Sequence, residues 1–212
     1  MTGNTYDTCS RLSGCNKTDI LSVNSILSVQ VKKYKQGQFQ QLDRHWVDNL
    51  IEFIPELDGI KGLLKNMCEY PLLANGTHVN KYDSITKLCP TNYSYQILNS
   101  FTDTLNQHKR KILEYAFYGT DRLFKPDYLI GVEYINKKRS RLSFFKIDTI
   151  INYLETQTFT IKKSKTVIAL GEHNTITLQR KGGDNGKKSS NQLQFKIIIS
   201  SLKGHEEFIY TL

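Results

Sequence analysis

The amino-acid sequence predicts an α+β fold, with a helical N-terminal half packed on a mixed β-sheet. Three observations lead there. Apolar residues recur at helical spacing as far as Gly119. Beyond Gly119 they gather into short runs rich in β-branched and aromatic residues, split by Gly, Asn and Lys turns. The chain has 212 residues and no internal repeat. A chain of that length can bury roughly 70% of its unfolded surface, so it needs no metal or disulfide staple.

In chain order, Ile20, Val23, Ile26, Leu27 and Val31 follow helical spacing, with Thr18 or Asp19 as N-cap. Trp46, Leu50, Phe53, Ile54 and Leu57 form a second stripe, which Pro55 interrupts. A third stripe runs through Leu57, Ile60, Leu63, Leu64, Met67 and Cys68. Residues 71–93, with Pro71, Gly76, Asn80 and Pro90, read as a loop. A long helix follows from Ser94 to Tyr118, with Gly119 as its C-terminal stop. Strands are predicted over Tyr128–Tyr134, Leu142–Ile147, Phe159–Ile161, Val167–Leu170, Thr175–Arg180 and Gln192–Ile199. A short helix near Asp148–Leu154 interrupts them. The chain thus divides into a helical region, 1–93, and an α+β core, 94–212, forming one compact unit.

The net charge is +9. Residues 1–107 carry 10 Lys/Arg and 10 Asp/Glu, whereas residues 108–212 carry 19 and 10, so the whole excess lies in the second half. Such a one-sided surplus suits a polyanionic partner. No apolar run approaches the roughly 18 residues of a membrane span. Cys9, Cys15, Cys68 and Cys89 form no CxxC pair. Sequons stand at Asn16, Asn75 and Asn92, but residues 1–7 show no secretory signal. The expectation is a reduced, cytoplasmic protein.

Four features bear on chemistry. Lys125-Pro126-Asp127 stands at the mouth of a strand. In Thr175–Lys181, alternation sets Ile176, Leu178 and Arg180 on one face and Thr177, Gln179 and Lys181 on the other. Gln179 and Lys181 therefore offer an oxygen ligand and an ammonium side by side. The loop from Gly182 carries Lys187, Lys188, Ser189, Ser190, Asn191 and Gln192 into a strand bearing Gln194 and Lys196. Its backbone amides and cations suit phosphate oxygens, and its amides suit base edges. Lys109 and Arg110 lie on the long helix, with Glu114 one turn beyond Arg110 and equally readable as its i,i+4 partner. Walker A and G-x-S-x-G patterns are absent, and His45, His78, His173 and His205 show no metal-ligand spacing.

The segments HKRKILEYAFYG, KPDYLIGVEY and ITLQRKGGDNGKKSSNQLQFKI resemble the C-terminal half of type II restriction endonucleases of the PD-(D/E)xK superfamily. The resemblance covers about residues 105–203 and implies a restriction-endonuclease-like core. It matches Asp127 to the acid of the PD element and Gln179 and Lys181 to the (D/E)xK element, with Glu114 as a supplementary acid. Gln179 stands where the family usually has Asp or Glu, although an amide oxygen also ligates hard cations. The gap from Asp127 to Gln179 is long for two elements that sit on adjacent strands.

The resemblance implies Mg²⁺-dependent hydrolysis of double-stranded DNA by a homodimer without a membrane anchor. Asp127, Gln179 and Glu114 would hold the metal, and Lys181 would serve the attacking water. Lys109, Arg110, Arg180, Lys187, Lys188, Ser189, Ser190, Asn191, Gln192, Gln194 and Lys196 would contact DNA. The rival readings are a non-catalytic DNA- or RNA-binding protein and a secreted disulfide-linked protein.

Overall fold

The structure is a computed structural model that describes residues 9–11, 19–22, 27–68, 95–120, 125–136, 139–162, 167–180 and 192–212. Eleven strands among these residues form two sheets. The first contains β1 (Cys9–Arg11), β2 (Ile20–Ser22), β3 (Ser28–Tyr34), β5 (Tyr128–Asn136), β6 (Arg139–Lys146) and β11 (Phe208–Thr211). Its order is β1-β2-β3-β5-β6-β11. Only the β3–β5 pair is parallel, so this sheet is mixed. The second contains β4 (Phe39–Trp46), β7 (Phe159–Ile161), β8 (Val167–Leu170), β9 (Ile176–Arg180) and β10 (Gln192–Ile198). Its order is β4-β10-β9-β8-β7, antiparallel throughout.

The α+β class holds, but the first half is not the helical region expected. Ile20–Ser22 forms β2 and Ser28–Val31 belongs to β3 instead of a helix, Asp19 caps nothing helical, and Val23 and Ile26 lie outside the described residues. The apolar spacing there satisfies both periods, and β-branched Ile20, Val29 and Val31 resolve it toward strand. From Ser28 onward the alternation Ser-Val-Gln-Val-Lys has the strand period of two.

The other helical stripes are real. Val47–Phe53 is α1, and Pro55 opens a 3-10 stretch to Ile60 that feeds α2 (Lys61–Cys68). Pro tolerates that first-turn position because its missing N–H has no helical acceptor there. The expected loop at 71–93 lies outside the described residues. The long helix is two: α3 (Tyr95–Gln107) and α4 (Lys109–Tyr118). His108, at φ −106° and ψ 18°, breaks the helical run. Next to the break the Asn106 side chain receives Phe159 N–H at 2.7 Å and donates to the Phe159 carbonyl at 3.2 Å, continuing the backbone pattern of β7. Gly119 ends α4 as expected, at φ 67° with its N–H on the Tyr115 carbonyl.

The strands and the short helix expected after Gly119 are present, the helix as α5 (Ile147–Glu155). It buries Ile147, Ile150, Ile151 and Leu154, a stripe of i, i+3, i+4 and i+7. Strand β11 was not expected from the sequence. Buried apolar residues from both halves join one cluster, from Tyr34 and Leu42 through α4 to Leu193, Phe195 and Leu202. Cys68 is buried in it. No helix among the described residues is long and apolar enough to cross a membrane.

Strand β3 of the first sheet passes into β4 of the second through the turn at Lys35–Gln38, where Gly37 adopts φ 69°. One short stretch of chain therefore crosses from one sheet to the other.

Candidate active site

Asp127 and Gln179 do not share a sheet. Asp127 precedes β5 in the first, while Gln179 lies on β9 in the second, between Gln194 of β10 and Val167 of β8. Lys181 and residues Lys187, Lys188, Ser189, Ser190 and Asn191 lie outside the described residues. The adjacent-strand arrangement expected of the acid and the Q-x-K pair is thus not formed by Asp127 and Gln179.

Asp127 has a definite set of partners. Its Oδ2 accepts the Ser28 N–H at 3.0 Å. The Ser28 hydroxyl lies 3.1 Å from the same oxygen and also against the Lys125 carbonyl, to either of which it can give its proton. Asp127 N–H donates to the Ser28 carbonyl at 2.8 Å, and the Asp127 carbonyl accepts Ile147 N–H at 3.0 Å. This carboxylate therefore ties the start of β5, and through it the start of α5, to the start of β3.

Glu114 is the i,i+4 partner of Arg110, at 3.0 Å. Arg110 also reaches Glu155 at 2.8 Å and Asn152 at 3.0 Å, which locks α4 to α5. Those carboxylates hold its guanidinium pKa above the ordinary value. Lys109 gives its ammonium to the Gln157 carbonyl, and burial lowers its pKa. Both cations are thus engaged within the chain.

A second Q-x-K pair, which the sequence reading passed over, occupies β3: Gln30-Val31-Lys32. Antiparallel β2 lies beside it, with Ile20 opposite Val29 and Leu21 opposite Ser28, so Asp19 falls opposite Gln30. Two bonds fix Asp19 there. Its N–H donates to the Val29 carbonyl at 2.8 Å, and its Oδ2 accepts the Val31 N–H at 2.7 Å. Alternation puts Ser28, Gln30, Lys32 and Tyr34 on one face of β3. Tyr34 joins the core, so this face looks into the molecule. Gly131 of β5 lies opposite Lys32. A Cβ there would come within 2.8 Å of the Tyr34 ring and of an Ile199 methyl.

Gln30 is 2% exposed, and its Oε1 has no hydrogen-bond partner among the described residues. Leaving such an acceptor unsatisfied costs about 1–3 kcal/mol. A carboxylate, a buried amide oxygen and an ammonium thus occupy neighbouring positions on two adjacent strands. Among the described residues no three His, Cys, Asp or Glu side chains group to hold a metal. The signal was present in the sequence: Ser28, Gln30 and Lys32 alternate with Val29 and Val31, with an acid eleven positions before Gln30.

The edge strand β4 and its neighbour β10 present a second polar surface. Asp43 pairs with Phe195 and Gln41 with Lys196, so Leu42 is an extra residue in a bulge. The bulge brings Gln41 and Arg44 to the same face, opposite Lys196 and Gln194. Gln194 donates to Gln41 Oε1 at 2.8 Å. Arg44 is exposed, and Trp46, opposite Gln192, is 44% exposed.

Comparison with known proteins bears on what these surfaces serve. No curated protein sequence matches the chain. The family model described as R.HinP1I restriction endonuclease matches residues 18–202. The match takes in Asp19, Gln30 and Lys32, the β4–β10 ribbon and Gln179 together. The chain belongs to the R.HinP1I restriction endonuclease family.

Proposed function

We propose that this type II restriction enzyme cleaves double-stranded DNA at specific sites with Mg²⁺ and works as a homodimer. On this reading the reaction centres on Asp19, Gln30 and Lys32. The observation that carries it is the Asp19 carboxylate held on the Val31 N–H, next in sequence to Gln30, whose buried oxygen has no partner among the described residues, with Lys32 on the face of Gln30.

The donor set fits a hard cation. Carboxylate and amide oxygens are the ligands Mg²⁺ takes, usually alongside several waters and substrate phosphate. Asp19 spends one lone pair of Oδ2 on Val31, and a carboxylate has about four such sites. Gln30 Oε1 is the kind of atom that burial penalises unless a ligand reaches it. A bound Mg²⁺ polarises a phosphoryl oxygen and lowers the pKa of a coordinated water. The Lys32 ammonium orients the attacking water and stabilises the negative charge that gathers on the phosphoryl oxygens. With one acid and one amide, the site repels the incoming polyanion less than a two-carboxylate site would.

Asp127 acts here as a positioning residue. Through Ser28 it holds the start of the strand whose third and fifth residues are Gln30 and Lys32. Glu114 belongs to the Arg110 network. DNA would lie along the β4–β10 ribbon, where Gln41, Arg44, Gln192, Gln194 and Lys196 project. Amide and guanidinium groups read adenine and guanine edges in the major groove. Lys181, Arg180 and the 187–191 segment would add phosphate contacts.

The test is incubation of a fully sequenced plasmid with Mg²⁺ or with EDTA, followed by mapping of the ends. Discrete ends at one short sequence, abolished by EDTA and weakened at low Mg²⁺ by Asp19→Asn, support the reading. Metal-independent cleavage, or DNA binding with no cleavage in any divalent cation, would overturn it.

A further inference from the structure

We propose that β11 is the edge at which two copies of this chain join. The proposal gives a surface to the homodimer just described and rests on that reading for its two-fold symmetry alone. Among the described residues, strand β11 is the last of the six-stranded sheet and pairs on one side only, with β6. All four of its residues are exposed, with Phe208 at 51%, Ile209 at 49% and Tyr210 at 59%. It also lies beyond residue 202, where the family match ends.

The backbone supplies the contact. Ser140 and Leu212 exchange both bonds, at 3.1 and 2.8 Å. By the alternation of an antiparallel ladder, the N–H and C=O groups of Ile209 and Thr211 then point away from β6. Natural edge strands are usually guarded by Lys, Pro, a bulge or a covering segment. Phe208-Ile-Tyr-Thr211 carries no charge and no Pro. Whatever docks here must offer an extended strand.

A second β11 meets that need for two reasons. Antiparallel strands related by a two-fold axis are self-complementary. The ends of β11 also differ in charge. Exposed Glu207 stands at its entrance, where it also takes the Tyr128 phenol. Exposed Arg139 stands on β6 beside its exit, next to the Ser140 that pairs with Leu212. Antiparallel pairing lays the acidic entrance of one copy along the basic exit of the other. With Tyr210 on the axis, Ile209 of each copy faces Thr211 of the other, and their outward groups exchange hydrogen bonds.

The experiment is sedimentation equilibrium on the full chain without DNA or metal, with circular dichroism to confirm the fold. The wild type is expected to be a dimer. Thr211→Pro deletes one outward donor and should raise the dimer Kd about tenfold or more. Glu207→Arg should also weaken the dimer, and Glu207→Arg with Arg139→Glu should recover most of the loss. A monomeric wild type overturns the proposal. So does a dimer indifferent to Thr211→Pro, or a double variant no tighter than Glu207→Arg. Cleavage is read separately: an inactive dimer counts against the nuclease reading alone, and an active monomer counts against this proposal and the homodimer but leaves the Mg²⁺-dependent cleavage standing.

Discussion

The Asp19 carboxylate accepts the backbone N–H of Val31 at 2.7 Å. That bond holds an acid beside Gln30, whose buried oxygen has no partner among the described residues. The acid is thus held before any cation arrives, which spares it the reordering that a loosely held ligand would need.

Gln30→Leu tests whether that orphan oxygen is retained for function. Leucine has similar volume and removes the buried unsatisfied acceptor. The variant should be more stable than wild type by up to about 1–3 kcal/mol and should not cleave. Denaturant midpoints and a plasmid assay read the two effects. A destabilised variant would mean that Gln30 is satisfied by a group of the protein itself.

Asp19 and Asp127 should separate by metal requirement. Asp19→Asn weakens a ligand, so the Mg²⁺ concentration for half-maximal rate should rise several-fold. Asp127→Asn weakens the Ser28 link and should cost about 1–3 kcal/mol of stability. Its cleavage rate should fall with the Mg²⁺ midpoint unchanged. A shifted midpoint for Asp127→Asn would make Asp127 a ligand after all.

Cations of the two surfaces should differ in salt dependence. If about six phosphates are neutralised, affinity should fall about a thousandfold between 50 and 200 mM salt. Arg44→Ala should lower the slope of log affinity against log salt by about one. Arg110→Ala should leave that slope unchanged, because Glu114 and Glu155 already engage its charge. Fluorescence titration in Ca²⁺ across a salt series measures both. Equal slopes for both variants would displace the DNA from the β4–β10 ribbon.

Much of this architecture was legible in the sequence, unevenly. The strands after Gly119 are short runs of Val, Ile, Phe and Tyr bounded by turn residues, and local signals suffice for them. The segment Asp19–Val31 was misread because Ile20, Val23, Ile26, Leu27 and Val31 fit a helical stripe on one count and strands on another. Only pairing with β5, about a hundred residues away, decides between them. That misreading hid the site, since Gln30 and Lys32 share a face only on a strand. Gln179-Arg180-Lys181 drew attention because a Gly-rich loop follows it. Gln30-Val31-Lys32 stands inside an apolar run that reads as core. Strand β11 was missed because four residues with no turn signal and no partner in sequence carry too little pattern.

The most direct measurement compares single-turnover cleavage by Lys32→Ala and Lys181→Ala, with binding of the same DNA in Ca²⁺ as the control. Lys32→Ala should lose about a hundredfold or more in rate, roughly 3 kcal/mol of transition-state stabilisation, with binding weakened no more than about tenfold. Lys181→Ala should lose no more in rate than it loses in binding. The reverse pattern, with Lys32→Ala cleaving at the wild-type rate and Lys181→Ala inactive yet bound, would contradict the account and return the chemistry to Gln179 and Lys181.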